Sequence, residues 1–312
     1  MAIPLARYRF SARLLEPVRL PDYAGSLLRG QFGSALRNAA CMTRQPTCMG
    51  CPLLQTCPYT RIFEAPPPAQ HALQKFSQIP NAYVIEPRLL ADTRLQAGEI
   101  LQFNMVLAGD ALAHLALITF AWQSALKQGL TKSRSAAELV AVEWLPAGEQ
   151  PVAVWQVDAP VLVLHTPVLT IPAAPPDLQQ IALEFSTPLR LQQQGQPLRE
   201  DQLSPRTLLA AVARRVALVM EFHAHQDHWG AQVPAIAALA EGLTDERQLR
   251  WHDWTRYSSR QQQEMTLGGL VGSWALKGPP ETLAALWPWL WLGQWLHVGK
   301  NASFGLGAYQ LR

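Results

Sequence analysis

Leu296-His297-Val298-Gly299-Lys300-Asn301-Ala302-Ser303-Phe304-Gly305-Leu306-Gly307-Ala308-Tyr309-Gln310-Leu311-Arg312 stands at positions 296–312, between an apolar, Trp-rich helix and a strand that alternates Leu306, Ala308 and Gln310. Glycine permits positive φ and close backbone approach, so the turn from Gly299 to Gly307 can direct N–H groups at an anion. The same glycines also suit a tight helix-to-strand turn that needs nothing beyond its geometry. At this point both readings stand.

Working back from that turn, Pro280 to Leu296 reads as a helix interrupted by Pro288, and Arg250 to Arg260 and Met265 to Lys277 as two strands. Ser204-Pro205 opens an earlier helix with a cap residue and a proline at the first helical position. Its apolar positions Leu208, Leu209, Val212, Val216 and Val219 face inward and leave Arg214 and Arg215 outside. Ile181 to Leu191 is a strand. The order is therefore strand, helix, strand, strand, helix, strand.

The first part of the chain has the same order. A strand over residues 6–20 precedes a helix from near Asp22, whose Tyr23, Leu27, Leu28, Phe32, Ala35, Leu36 and Ala39 step by three and four. Asn81 to Pro87 and Gly98 to Leu107 read as strands, and Tyr59 to Glu64 as a short one. A helix from Asp110 to Lys127 has Asp110 as N-cap and Gly129 as stop, and Glu138 to Leu145 is the next strand. The expected fold class is α+β: two tandem ferredoxin-like (RRM-like, β-α-β-β-α-β) domains, residues 1–147 and 180–312, with a cysteine loop inserted in the first. Residues 148–179 are proline-rich, with a Val161 to Leu164 strand, and read as the linker.

That loop holds all the cysteines, Cys41, Cys48, Cys51 and Cys57. The C-x6-C-x2-C-x5-C spacing, without a secretion signal, argues for metal rather than disulfides. Four thiolates suit a closed, structural zinc site; an iron–sulfur cluster can use the same set, and Cys57-Pro58 has a counterpart in ferredoxin-like runs.

With 49% hydrophobic and 16% charged residues the composition is that of a globular protein. The run Leu283 to Leu292 falls short of the about 20 residues of a membrane span, and Met1 to Phe10 lacks a signal-peptide pattern. A cytoplasmic location without membrane contact is expected. The net charge is +3, but residues 247–312 carry +4, which favours a polyanionic partner and salt-dependent binding. Arg29, Gly33 and Arg37 share a helix face, two guanidinium groups with a gap where a backbone could approach. Lys132 and Arg134 lie in a basic loop before the Glu138 strand, in the position that Lys300 holds in the second half.

Several segments together resemble the CRISPR repeat-RNA processing endoribonucleases of the repeat-associated (RAMP) superfamily. They are Trp251-His252-Asp253-Trp254 leading into Arg256-Tyr257-Ser258-Ser259-Arg260-Gln261, Gly268-Gly269, His297-Val298-Gly299-Lys300 and Phe304-Gly305-Leu306-Gly307. Leu28-Arg29-Gly30, Phe32-Gly33, Ala35-Leu36-Arg37 and Cys51-Pro52-Leu53 to Cys57-Pro58-Tyr59 resemble the branch with an N-terminal cysteine cluster. The resemblance implies RNA contact by Arg256, Tyr257, Arg260, His297, Gly299, Lys300, Asn301, Ser303, Gly305 and Gly307, with Lys132 and Arg134 on the first domain.

The reaction it implies is transesterification without a metal, in which the ribose 2′-hydroxyl attacks its own 3′ phosphate. Many relatives place a histidine on or after the first helix, whereas Ala24 to Asn38 contains none. His71, with Lys75 four residues on, is the nearest; otherwise Arg29, Arg37 and Tyr23 would position an in-line geometry and stabilise charge. The implied partners are CRISPR repeat RNA, its crRNA product and an effector complex. The alternative is a non-cleaving RNA-binding subunit of such a complex.

Overall fold

Alternation along Leu5–Leu14 builds the first sheet, because it sends Ala6, Tyr8, Phe10, Ala12 and Leu14 to one face, where all are buried, and Arg7, Arg9 and Arg13 to the other. The structure is a computed structural model and describes residues 2–68, 79–89, 93–258, 263–266 and 268–312, excepting the side chains of 255–258 and 263–266. His71, Lys75 and Arg260, and the side chains of Arg256 and Tyr257, lie outside the described residues. The chain divides into two compact units, Ile3–Leu169 and Thr170–Arg312, with Ala2 grouped with the latter.

In the first unit the main elements are β1 (Leu5–Leu14), α1 (Gly25–Ala40), α2 (Pro58–Phe63), β2 (Tyr83–Pro87), β3 (Ile100–Ala108), α3 (Leu115–Gln128), β4 (Ala137–Leu145) and β5 (Val152–Gln156). The sheet runs β2-β3-β1-β4-β5, antiparallel throughout. Phe10, Phe32, Phe103 and Trp122 meet between sheet and helices, with Phe103 and Trp122 4.4 Å apart. On the opposite face Arg9 and Arg13 pair with Glu143 and Glu138 directly across the strands, and Arg7 holds Glu86 at 2.8 Å. Charge on that face is therefore balanced locally.

Three expectations change here. Tyr59 to Glu64 is helical rather than extended: Pro58 occupies the first turn, Thr60 Oγ1 donates to the Leu54 and Cys57 carbonyls, and Tyr59 stacks on Phe63 one turn on. Asp110 does not cap α3. A 3-10 turn, Gly109–His114, precedes that helix, and the Asp110 carboxylate instead meets Arg61 at 3.5 Å. Within 148–179 the strand is Val152–Gln156, the fifth of the sheet, rather than the expected Val161 to Leu164, of which Val163 donates its N–H to the Val154 carbonyl.

The second unit contains β6 (Gln180–Leu189), α4 (Pro205–Ala224), α5 (His228–Ala238), β7 (Thr244–His252), β8 (Thr255–Ser258), β9 (Gln263–Thr266), β10 (Gly269–Lys277), α6 (Pro280–Leu296) and β11 (Tyr309–Leu311). Its main sheet runs β7-β10-β6-β11, and β8 and β9 form a separate two-stranded hairpin. The strand expected from Arg250 to Arg260 thus starts earlier and breaks at 253–254. Ser204 caps α4, its Oγ accepting from Thr207 N at 3.2 Å. Leu208, Leu209, Val212, Val216 and Val219 are all buried. Arg215, expected outside, is instead drawn in: its Nε donates to the Leu296 carbonyl at 3.2 Å, and burial lowers its pKa to about 10.

Candidate nucleic-acid interface

The turn after α6 is laid against the end of β6. Thr187 Oγ1 donates to the Gly305 carbonyl and accepts from Ala308 N, both at 2.8 Å. Gly307 N donates to the Pro188 carbonyl at 3.0 Å and Lys300 N to the Arg190 carbonyl at 2.8 Å. Inside the turn, Val298 N reaches Gly307 O, Phe304 N reaches Asn301 O, and Gly305 N reaches Ala302 O. Five amides of the turn are thus committed to carbonyls of the chain rather than open to an anion. The glycines answer to geometry: φ is 90° at Gly299 and 68° at Gly307, and added Cβ atoms would lie 2.6 Å from Arg190 O and 1.8 Å from Val298 O.

Of the loop residues expected at RNA, Lys300 is exposed, and Asn301 and Ser303 are partly so. His297, Gly305 and Gly307 are buried and shape the turn rather than present themselves. In the first unit Lys132 and Arg134 are exposed on a tight turn tied by Thr131 Oγ1 to Ser133 Oγ and Ser133 Oγ to Ser135 Oγ, with Ser135 donating to the Pro17 carbonyl at 2.8 Å.

The foot of the β8–β9 hairpin lies beside the same end of β6. Trp251 Nε1 donates to Asp253 Oδ1 at 2.9 Å, and the Arg199 guanidinium stacks 3.6 Å above the Trp251 ring. Arg190 Nη1 donates to the Gly268 carbonyl at 3.0 Å. Arg199, Trp251 and Arg247 line one open groove, in which Arg247 is fastened to the Glu200 and Leu203 carbonyls and to Asp245. Neither Arg190 nor Arg199 was singled out from the sequence. Arg190 stands between Leu189 and Leu191 at the end of a strand and Arg199 in a polar stretch, and only tertiary contact gives either meaning.

The helical face expected to carry catalysis is occupied. A Cβ at Gly33 would fall 2.2 Å from Phe63 Cζ, so the gap between Arg29 and Arg37 is filled by that ring. Arg29 lies 4.4 Å over Phe63 with its Nε buried. Beside it burial pushes the Tyr83 phenol up to about 12, which the Arg29 charge opposes. Arg37 donates to the Gln45 and Pro46 carbonyls and so closes the cysteine loop. Tyr23 is 2% exposed, and burial, with Glu86 adding to it, holds its phenol well above the ordinary range.

A pair that sequence reasoning missed is Tyr8 and His165, with Oη and Nε2 2.9 Å apart. His165 Nδ1 lies 3.0 Å from the Val163 carbonyl, which can only accept, so the neutral ring donates there from Nδ1–H and accepts a hydrogen bond from the Tyr8 hydroxyl at Nε2.

Cys41, Cys48, Cys51 and Cys57 line one small cavity with Thr43 and Tyr59, and none is in a disulfide. Thr43 Oγ1 lies 3.9 Å from Cys41 Sγ and 3.5 Å from Cys51 Sγ. Among the described residues, however, no three His, Cys, Asp or Glu side chains are drawn together as a metal ion would hold them. The thiols share a cavity but do not form a finished coordination sphere.

Comparison with known proteins fits this layout. Residues 3–166 match the AF_1859_N N-terminal domain, and residues 183–309 match the CRISPR-associated endoribonuclease Cas6 family. The first match spans just over half of the chain, which belongs to that family, and the second places a Cas6-type domain over residues 183–309. An uncharacterized protein of Archaeoglobus fulgidus is 23% identical over the full length of both chains. Among solved structures, a Cas6 product complex superposes with a TM-score of 0.60 at 17% identity, covering 99% of this chain and 100% of that one. Thermus thermophilus Cas6 gives 0.54 at 15% identity, covering 100% of this chain and 99% of that one. Among the described residues no helix is long and apolar enough to cross a membrane.

Proposed function

We propose that this chain binds CRISPR repeat RNA through its second unit and cleaves the precursor by attack of a 2′-hydroxyl on the adjacent phosphate. The products are a cyclic phosphate and a 5′-hydroxyl, and no metal takes part in the step. Each unit is read as ferredoxin-like, on the strand orders β2-β3-β1-β4 and β7-β10-β6-β11. The observation that carries the reading is the turn fastened to β6, which offers Lys300, Asn301 and Ser303 beside the hairpin foot, within the segment matching the endoribonuclease family.

Incubating the purified chain with a repeat transcript in EDTA tests it. Cleavage that a 2′-deoxy substitution at the scissile nucleotide abolishes is expected; binding without cleavage would overturn the enzymatic half. The engaged state of Arg29 and Arg37 favours the second reading, a non-cleaving RNA-binding subunit of an effector complex. The general base is not assigned.

The cysteine loop is taken as a structural zinc site apart from the reaction, supported by the spacing and the common cavity. Elemental analysis should return about one zinc per chain, falling away in a Cys48→Ser, Cys51→Ser variant. A visible absorbance band would mark an iron–sulfur cluster instead.

A further inference from the structure

Arg190 uses its two ends on two different segments. Its carbonyl receives the Lys300 N–H at 2.8 Å, and its guanidinium holds the Gly268 carbonyl at 3.0 Å. The first segment is the glycine turn and the second is the foot of the hairpin, so one residue ties both to the end of β6. Contact is close on both sides: a Cβ at Gly299 would lie 2.6 Å from the Arg190 carbonyl oxygen, and one at Gly269 2.6 Å from that of Leu189. A guanidinium carries five N–H donors, and the bond to Gly268 uses one. Arg190 is only partly buried, and no ion pair among the described residues engages it or Lys300.

We propose that Arg190 and Lys300 form a phosphate-binding pair for RNA, in which Arg190 is both the strut between turn and hairpin and a ligand of the backbone. The inference rests on the RNA-binding reading above and deepens it. A planar guanidinium can grip two phosphate oxygens at once, whereas the ammonium acts as a point charge. One backbone hydrogen bond brings the two residues together, so the pair can serve a single phosphate or two successive ones.

Anisotropy of a fluorescein-labelled repeat RNA, titrated at several salt concentrations, separates strut from ligand. Each lost phosphate contact to a single strand should flatten the slope of log K against log salt by about 0.7. Lys300→Ala and Arg190→Met should each do so, and the double variant should lose about twice as much. Arg190→Lys should keep the slope while weakening affinity several-fold. If Arg190→Met melts early, Arg190→Gln, which is polar but uncharged, serves the same comparison.

A double variant with the slope of Lys300→Ala alone overturns the pair and leaves Arg190 a strut. Wild-type chain whose RNA affinity ignores salt, or is absent, overturns the RNA-binding reading itself.

Discussion

Gly307 packs its α-carbon against the Val298 carbonyl at a φ of 68°, in a place where any side chain meets both strain and a clash. Gly307→Ala should therefore cost at least ~1–3 kcal/mol, the usual range for a non-glycine residue in such a backbone region. Urea unfolding followed by tryptophan fluorescence measures it. An unchanged midpoint would mean that the turn relaxes freely. Single residues were unevenly legible in the sequence. The need for glycine at 299 and 307 was visible as a choice between turn and anion site; their positive φ and the carbonyls a Cβ would meet show the geometric need at both, and the Gly307 amide is committed to the Pro188 carbonyl. Arg29, Gly33 and Arg37 share a helix face, but nothing in their spacing announced that Phe63, thirty residues on, would fill it.

At the scale of elements, α4 shows how a local signal can be complete. Ser204 and Thr207 exchange hydrogen bonds at its start, with Pro205 between them. Ser204→Ala should lower stability by about 1 kcal/mol, and Ser204→Asp should restore most of it; equal unfolding midpoints for the serine and alanine forms would deny the cap any weight. Long periodic elements such as β1, α1 and α4 were legible for the same reason. The short run Tyr59 to Phe63 was not, because a few apolar residues fit strand and helix alike. Deciding it took Pro58 in the first turn and the Thr60 hydroxyl, details below the resolution of periodicity. The strand Val152–Gln156 was hidden in proline-rich surroundings, and α5 has Pro234 inside it.

For the whole molecule, burial raises the pKa of five phenols: Tyr8, Tyr23, Tyr59, Tyr83 and Tyr309. Below about pH 10 they are neutral in the folded and the unfolded chain alike, so their burial is undisturbed. Above it the unfolded chain ionises while the folded chain holds its protons, and stability falls as pH rises. Melting temperatures between pH 9 and 11 should drop steeply beyond about pH 10 and more gently in Tyr309→Phe; a flat profile would show that the phenols ionise in place.

The mixture of alternating strands and periodic helices in both halves was the most legible feature at this scale, since it depends only on the alternation and helical spacing of many residues. The bonds from Thr187, Pro188 and Arg190 to the last turn carry a consequence for encounter with a ligand. Because the loop is ordered during folding, association would not have to pay again for fixing its backbone. Association should then show little conformational gating, with tightness expressed in slow release rather than in a slow closing step.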